Sequence, residues 1–202
     1  MTLIDRLRES ARGLGPAIGI YITQHHWART VMARETHELV QRLNPASLDA
    51  LEISGGYWGY IEQFRTYRSV HYPDFDICAG TLDEQFDLIL AEQVWEHLLW
   101  PYRAARNVHA MLRPGGHFLV TTPFLIKIHG DDLFPDCSRW TEVGIKYFLA
   151  ESGFDIDKIQ TGSWGNRACV KANFNRWAWR WPWRSLRNEV DFPVTVWALA
   201  QK

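Results

Sequence analysis

Three short stretches of this chain carry side chains able to do chemistry. The first is Ala91-Glu92-Gln93-Val94-Trp95-Glu96-His97, where polar groups follow directly on an apolar run. His97 is an imidazole suited to proton exchange near neutral pH. Its alternative use is that of a packed histidine bonding backbone. The second stretch, Pro123 to Trp140, is long, irregular and polar, and holds His129, Asp131, Asp132, Asp136 and Arg139. Loops of this kind in compact domains serve as lids or binding surfaces. Asp136 and Arg139 can orient a substrate or pin the loop as a simple ion pair. The third is Leu51-Glu52-Ile53-Ser54-Gly55-Gly56-Tyr57-Trp58-Gly59. Its glycines let the backbone approach a ligand closely, and the helix that follows presents free N–H groups. Glu52 can accept hydrogen bonds from that loop or face a cationic group on a ligand.

A histidine among carboxylates is also an inventory of metal ligands. No close-spaced histidine pair accompanies His129, so no metal site is expected from the spacing. The three cysteines, Cys78, Cys137 and Cys169, lie far apart and form no Cys-x-x-Cys pattern. They read as reduced thiols.

The elements that must position these groups alternate between strand and helix. Residues 2–13 read as a short amphipathic helix closed by Gly13 and Gly15. Residues 28–43 read as a stronger one, with Met32, Leu39, Val40 and Leu43 on one face. Strands are predicted at 50–53, 68–72, 75–78, 86–91, 117–122, 154–160 and 193–200. Helices are predicted at 60–65, from Pro101 to about Leu112 with Tyr102, Ala105, Val108 and Leu112 inward, and from the Thr141 cap to about Ser152. Arg113-Pro114-Gly115-Gly116 reads as a turn. Alternating strands and helices imply parallel βαβ units in a doubly wound α/β sheet, whose ligands bind beyond the carboxyl ends of the strands. Residues 1–45 are expected to brace or cover a single compact unit at 46–202.

Taken in order, Leu51–Gly56, Phe86–His97 and Leu112-Arg113-Pro114-Gly115-Gly116-His117-Phe118-Leu119-Val120 resemble class I S-adenosylmethionine-dependent methyltransferases. The likeness is to their small-molecule, methyltransferase domain 11-like branch, and it covers about residues 48–155. The continuation Thr122-Pro123-Phe124, His129, Asp136 and Arg139-Trp140-Thr141 is similar to a bacterial subgroup found near glycan and natural-product genes. The resemblance implies a Rossmann-like, seven-stranded, mostly parallel sheet with its last strand antiparallel. It implies S-adenosylmethionine as cofactor, held by Glu52, Ser54, Gly55, Gly56, Gly59, His71, Tyr72, Asp76, Glu92, Gln93 and Val94. It makes His129 the first candidate for the base and His97 the second, with Asp136, Arg139, Trp140 and Trp164 on the acceptor side.

The chain departs from the family pattern in two places. Ser54 and Trp58 stand where alternating glycines are usual, and His71 stands where an acid usually ends the second strand. The implied activity is methylation of oxygen or nitrogen on a small-molecule, glycan or natural-product acceptor. The alternative is a methyltransferase fold that serves as a non-catalytic binding module or partner subunit. A nicotinamide-dependent dehydrogenase is disfavoured, because positions 54–59 supply no Gly-x-Gly-x-x-Gly.

Composition narrows the partners. Among 202 residues, 22 basic and 23 acidic side chains leave a formal charge of −1, a poor footprint for nucleic acid. No apolar run is long enough to span a bilayer, and charges at Asp5 and Arg6 interrupt any signal-like core, so a cytoplasmic location is expected. Eleven tryptophans are an excess. Four of them, Trp177, Trp179, Trp181 and Trp183, alternate with other residues. In an extended chain that would place their indoles on one face. Such a face could cover the sheet edge, line an aromatic acceptor pocket, or make peripheral membrane contact.

Overall fold

The computed structural model describes residues 26–202. A 3-10 turn at Trp27–Arg29 leads into helix α1, Thr30–Gln41. Strand β1 (Asp49–Ile53), the one-turn helix α2 (Trp58–Ile61) and strand β2 (Thr66–Val70) follow. Strand β3 (Phe86–Glu92), helix α3 (Pro101–Met111) and strand β4 (Leu112–Pro123) form the centre. Helix α4 (Glu142–Glu151), strand β5 (Ile159–Trp164), helix α5 (Arg167–Ala172) and strand β6 (Thr195–Gln201) complete the chain. The sheet runs β2-β1-β3-β4-β6-β5. Its first four strands are parallel, and β6 lies antiparallel between β4 and β5.

The near-continuous apolar runs of β1, β3 and β4 are what a sheet covered on both faces requires. Alternate residues divide between two cores. Leu51, Ile53, Ile89, Ala91, Phe118 and Val120 face Ala104, Ala105, Val108 and Met111 of α3 and Ile145, Phe148 and Leu149 of α4. Ala50, Leu88, Leu90 and Leu119 face Val31, Met32, Leu39 and Val40 of α1, with Trp27, Trp58 and Trp164 filling the layer. Glu52 and Glu92 carry the period of this second face.

Several expectations need correction. The described sheet has six strands, because residues 75–78 form turns instead of a strand. The Phe75 N–H bonds His71 O, and Asp76 Oδ1 accepts the Cys78 N–H at 2.8 Å, which satisfies locally the groups a strand would have paired. The helix expected at 60–65 is confined to Trp58–Ile61. The strand expected at 154–160 starts at Ile159, since Asp155 caps a 3-10 turn at Ile156–Lys158 by accepting the Asp157 N–H. The 113–116 turn is absorbed into β4, where the register against β3 shifts between Phe86 and Leu88. On α3 the inward residues are Ala104, Ala105, Val108 and Met111, while Tyr102 stays half-exposed, edge-on to Phe148. Helix α5 was not anticipated; Asn166 caps it by accepting the Cys169 N–H.

The tryptophan segment is not a single extended face. A turn at 182–184 stacks Trp181 on Trp183, and both remain exposed with Trp179. Arg184 lies over the Trp27 ring, and His26 stacks on Trp179. The helix expected at 2–13 lies outside the described residues. Among the described residues, no helix is long and apolar enough to cross a membrane.

The amino ends of the parallel strands are tied by four charges. Arg65 reaches Asp49 at 2.7 Å and Asp87 at 2.9 Å, and Arg113 reaches the same two carboxylates at 2.9 and 2.8 Å. The Arg65 hydrogen bond, followed by that of Thr66, holds the Asp49 carboxyl far below the ordinary range. A carboxyl depressed in the folded state contributes stability above its unfolded pKa, and that contribution is lost as pH falls toward the folded value. Asp49→Asn should therefore lower Tm at neutral pH and flatten its decline below about pH 4, the unfolded Asp range. Thermal melts across that range check it.

Candidate active site

A cavity of about 430 Å³ opens at the carboxyl ends of β1 and β3. That is within the roughly 300–1,000 Å³ typical of small-molecule sites. The two strands end in the same unusual way. Ser54 has φ 57° and Gln93 has φ 56°, left-handed values adopted here by residues other than glycine. Such a conformation costs on the order of 1–2 kcal/mol per residue. Both are held by neighbouring strands: the Ser54 N–H bonds Val70 O at 2.7 Å, and the Gln93 N–H bonds Thr121 O at 3.0 Å. The chain is thus turned sharply off two adjacent strands, and the cavity lies at that parting. Gln93 also donates its side-chain amide to Thr121 Oγ1 at 3.1 Å.

Glu52 lies beneath the glycine-rich turn. It is 1% exposed and accepts the Trp58 N–H at 3.0 Å, the Tyr57 N–H at 3.3 Å, and the Tyr67 hydroxyl. The carboxylate holds the turn and does not line the cavity. Burial, then the Glu52 contact, pushes the Tyr67 phenol well above its ordinary pKa. A Cβ on Gly55 would come within 1.9 Å of Glu52 Oε1, and one on Gly59 within 2.5 Å of the Tyr67 ring. A Cβ on Gly56 would meet nothing within 4 Å.

His71, Tyr72 and Asp76 form the far wall, with Phe75 and Ile77 beside them. The near wall is Gln93, Val94 and His97, followed by Leu98, Leu99 and Trp100. Leu133, Phe134 and Pro135 close over the top, where Phe134 meets Tyr72 edge-on. Internal and external bonds fix this covering loop. Asp131 Oδ1 accepts the N–H groups of Leu133 and Phe134, and the N–H groups of Cys137 and Ser138 donate to Glu96 O at 2.7 and 3.2 Å.

Behind His97 lies a compact polar cluster. His97 Nδ1 bonds Pro135 O at 3.1 Å, which makes that nitrogen the donor. Its Nε2 is 3.8 Å from Glu96 Oε1. The His129 ring sits edge-on to His97, with centroids 5.1 Å apart. His129 Nδ1 is 3.2 Å from Asp136 Oδ2, and its backbone N–H bonds the same oxygen at 2.8 Å. Arg139 grips Asp136 with both guanidinium nitrogens. Burial opposes the Asp136 charge, but Arg139 and the His129 N–H outweigh it and hold the carboxyl below its usual range. Burial lowers the His129 pKa against the pull of Asp136. Glu96 is fully buried, and neither carboxylate oxygen has a hydrogen-bond partner. Burial pushes its pKa up to about 7.

Of the residues expected at the site, Ser54, His71, Tyr72, Asp76, Gln93, Val94 and His97 meet around the cavity. Glu52, Gly55, Gly56 and Gly59 shape the turn and are not in the wall. Glu92 points to the α1 face, 3.7 Å from Arg29, where burial raises its pKa. His129, Asp136 and Arg139 stand behind the covering loop. Trp140 packs on Phe148, and Trp164 lies in the core with its indole N–H donating to Leu186 O at 3.0 Å. Neither tryptophan reaches the cavity. Glu96 was missed as a site residue. Its signal is a carboxylate directly before His97 and directly after the apolar pair Val94-Trp95.

The methyltransferase-domain family matches residues 24–190, so the chain belongs to that family. Its fold and cofactor are those of the class I S-adenosylmethionine-dependent methyltransferases. Among solved structures it is similar to an S-adenosylmethionine-dependent methyltransferase of Mesorhizobium loti (17% identity, TM-score 0.52, covering 83% of this chain and 97% of that one). It is also similar to the 1,6-didemethyltoxoflavin-N1-methyltransferase of Burkholderia thailandensis, solved with 1,6-didemethyltoxoflavin and S-adenosylhomocysteine (13% identity, TM-score 0.57, covering 97% and 87%). A third is a methyltransferase of Archaeoglobus fulgidus (11% identity, TM-score 0.52, covering 84% and 94%). No curated protein matches the chain.

The cavity suits the cofactor chemically. Ser54, Asp76 and Gln93 bring a few polar groups into a wall otherwise apolar at Ile53, Phe75, Ile77 and Val94. That mixture fits a ligand with a flat ring and several hydroxyl or amino groups. The two glycines of the turn should differ sharply on substitution. Gly55→Ala collides with the Glu52 carboxylate and should cost roughly 1–3 kcal/mol, the usual range for overpacking. It should also weaken S-adenosylhomocysteine binding. Gly56→Ala should leave both close to wild type. Denaturant unfolding and calorimetry on the two variants measure this.

Proposed function

We propose that this protein transfers a methyl group to oxygen or nitrogen of a small-molecule, glycan or natural-product acceptor, with the acceptor seated against His97. The observation that carries this reading is the position of His97. It faces the same cavity as Ser54, Asp76 and Gln93, and it is backed by Glu96 and His129.

When bound, S-adenosylmethionine supplies an electrophilic methyl group on a sulfonium leaving group. The chain's own residues divide the remaining work. The Asp76 carboxylate and the His71 imidazole offer hydrogen-bond partners for ribose hydroxyls or an adenine amine. Phe75, Ile77 and Val94 give a flat ring apolar surface. Ser54 and Gln93 lie at the parting of β1 and β3, where the amino-acid portion would be held. Leu133 and Phe134 exclude water from above, which strengthens every polar contact inside. The acceptor's nucleophilic atom is aligned by the near wall, and alignment is the larger part of catalysis in an in-line displacement. Its proton is given up beside the cluster of Glu96, His97 and His129.

Calorimetry with S-adenosylhomocysteine should show one site per chain. Asp76→Ala should weaken that binding about tenfold, or about 1.4 kcal/mol. His97→Ala and His129→Ala should retain the binding while methyl transfer to a panel of phenols, sugars and amines drops at least about 100-fold. Wild-type protein giving no heat with S-adenosylhomocysteine would overturn the catalytic reading in favour of a binding module.

A further inference from the structure

Glu96, His97 and His129 come together from two separate elements, and what they form is more than a proton acceptor. One ligand atom from each lies within 4.8 Å of those of the other two. In a filled tetrahedral site, donors bound at about 2.0–2.1 Å lie about 3.3 Å apart. His97 Nε2 and Glu96 Oε1 are 3.8 Å apart, so a shift of a few tenths of an ångström closes that gap.

The second observation is the state of Glu96 itself. Its carboxylate is entirely buried, faces the two imidazoles, and has no hydrogen-bond donor on either oxygen. An ionised carboxylate left so is costly, by several kcal/mol, unless a cation joins it. The positive groups that act on it, Arg139 and Arg29, are already engaged with Asp136 and Glu92. His97 also has the outer partner that metal-bound histidines characteristically keep. Pro135 O takes the Nδ1 proton of His97, whereas Nδ1 of His129, 3.2 Å from Asp136 Oδ2, is buried without a hydrogen-bond partner. The Pro135 contact leaves Nε2 of His97 with its lone pair.

We propose that Glu96, His97 and His129 bind one divalent first-row transition-metal ion, such as Zn²⁺, Mn²⁺, Fe²⁺ or Co²⁺, at the wall of the acceptor cavity. Two imidazoles and one carboxylate suit these ions better than Mg²⁺ or Ca²⁺, which prefer all-oxygen surroundings. Three protein ligands leave coordination positions open, and one of the three, His97, lines the cavity. The role of the ion rests on the methyltransferase reading above. An acceptor hydroxyl coordinated there loses its proton to solvent more readily, because the ion stabilises the oxyanion that remains. The acceptor class is then a hydroxylated molecule, most favourably one that presents two neighbouring oxygens to the metal. The histidines act as ligands in this arrangement, and the ion takes over the work of a base.

The test titrates Co²⁺ or Zn²⁺ into chelator-treated full-length protein without cofactor. Wild type should bind one equivalent, with a Co²⁺ visible absorption of the low-coordinate type, and its Tm should rise with the ion. Glu96→Gln should bind at least tenfold more weakly, within the range set by loss of a metal-orienting group. Its metal-free Tm should equal or exceed that of wild type, because the unpaired buried charge is gone. His97→Ala and His129→Ala should lose the Co²⁺ absorption. Absence of stoichiometric binding by wild type, or equal binding by all three variants, overturns the site. Full methyl transfer by metal-free protein overturns its role. S-adenosylhomocysteine titrations run alongside separate the two readings: cofactor binding without ion binding removes the metal alone, and ion binding without cofactor binding removes the methyltransferase reading alone.

Discussion

The buried Glu52 carboxylate organises the end of β1. A charge placed under a sheet-end turn is tolerable only with donors around it, and it has three: two backbone N–H groups and a phenol. Those donors come from the turn itself and from the neighbouring strand. Satisfying Glu52 therefore folds residues 55–58 back over it and draws Tyr67 of β2 beneath. Gly55 is dictated by the carboxylate, and Gly59 by the Tyr67 ring. Trp58, which looks from its sequence position like an obstruction in a cofactor loop, starts the one-turn helix and is buried in the second core. Its bulk lies away from the cavity.

The ends of the strands differ in purpose because they differ in electrostatics. At the amino ends, Asp49, Asp87, Arg65 and Arg113 neutralise one another and lock the parallel register. At the carboxyl ends, Ser54 and Gln93 adopt left-handed conformations, and the chain parts to leave a cavity. Such local strain persists only where the surrounding structure holds it in place. Here the hydrogen bonds to Val70 and Thr121 provide that hold.

The covering loop links recognition to chemistry. Its tip supplies Leu133 and Phe134 to the cavity, and its stem supplies His129 and Asp136 to the cluster behind. The Arg139–Asp136 pair fixes the stem, and the bonds from Cys137 and Ser138 to Glu96 O fasten it to the turn that carries His97. A shift of the tip on ligand entry would be felt through Pro135, whose carbonyl sets the His97 tautomer. The tip over the cavity and the polar cluster behind it are thus joined through one short segment.

The sequence by itself determined the elements whose signals are local. The alternation of apolar strands with helices, the Pro101 start, the Thr141 cap and the Gly153 stop are short-range effects, and each is where its residues place it. The motif order was enough to mark the turn after β1, the stretch ending in His97 and the long loop carrying His129. What the fold alone decided is how these pieces face one another. Side-chain bonds from Asp76 and Asp155 consumed backbone groups that a strand would have used, so residues 75–78 and 155–158 became turns. Burial and backbone donors turned Glu52 inward, while sheet register sent Glu92 to the α1 face. The meeting of Glu96, His97 and His129 joins residues more than thirty positions apart. No spacing rule along the chain can register that proximity, because it is set by where the loop after β4 folds back over the end of β3.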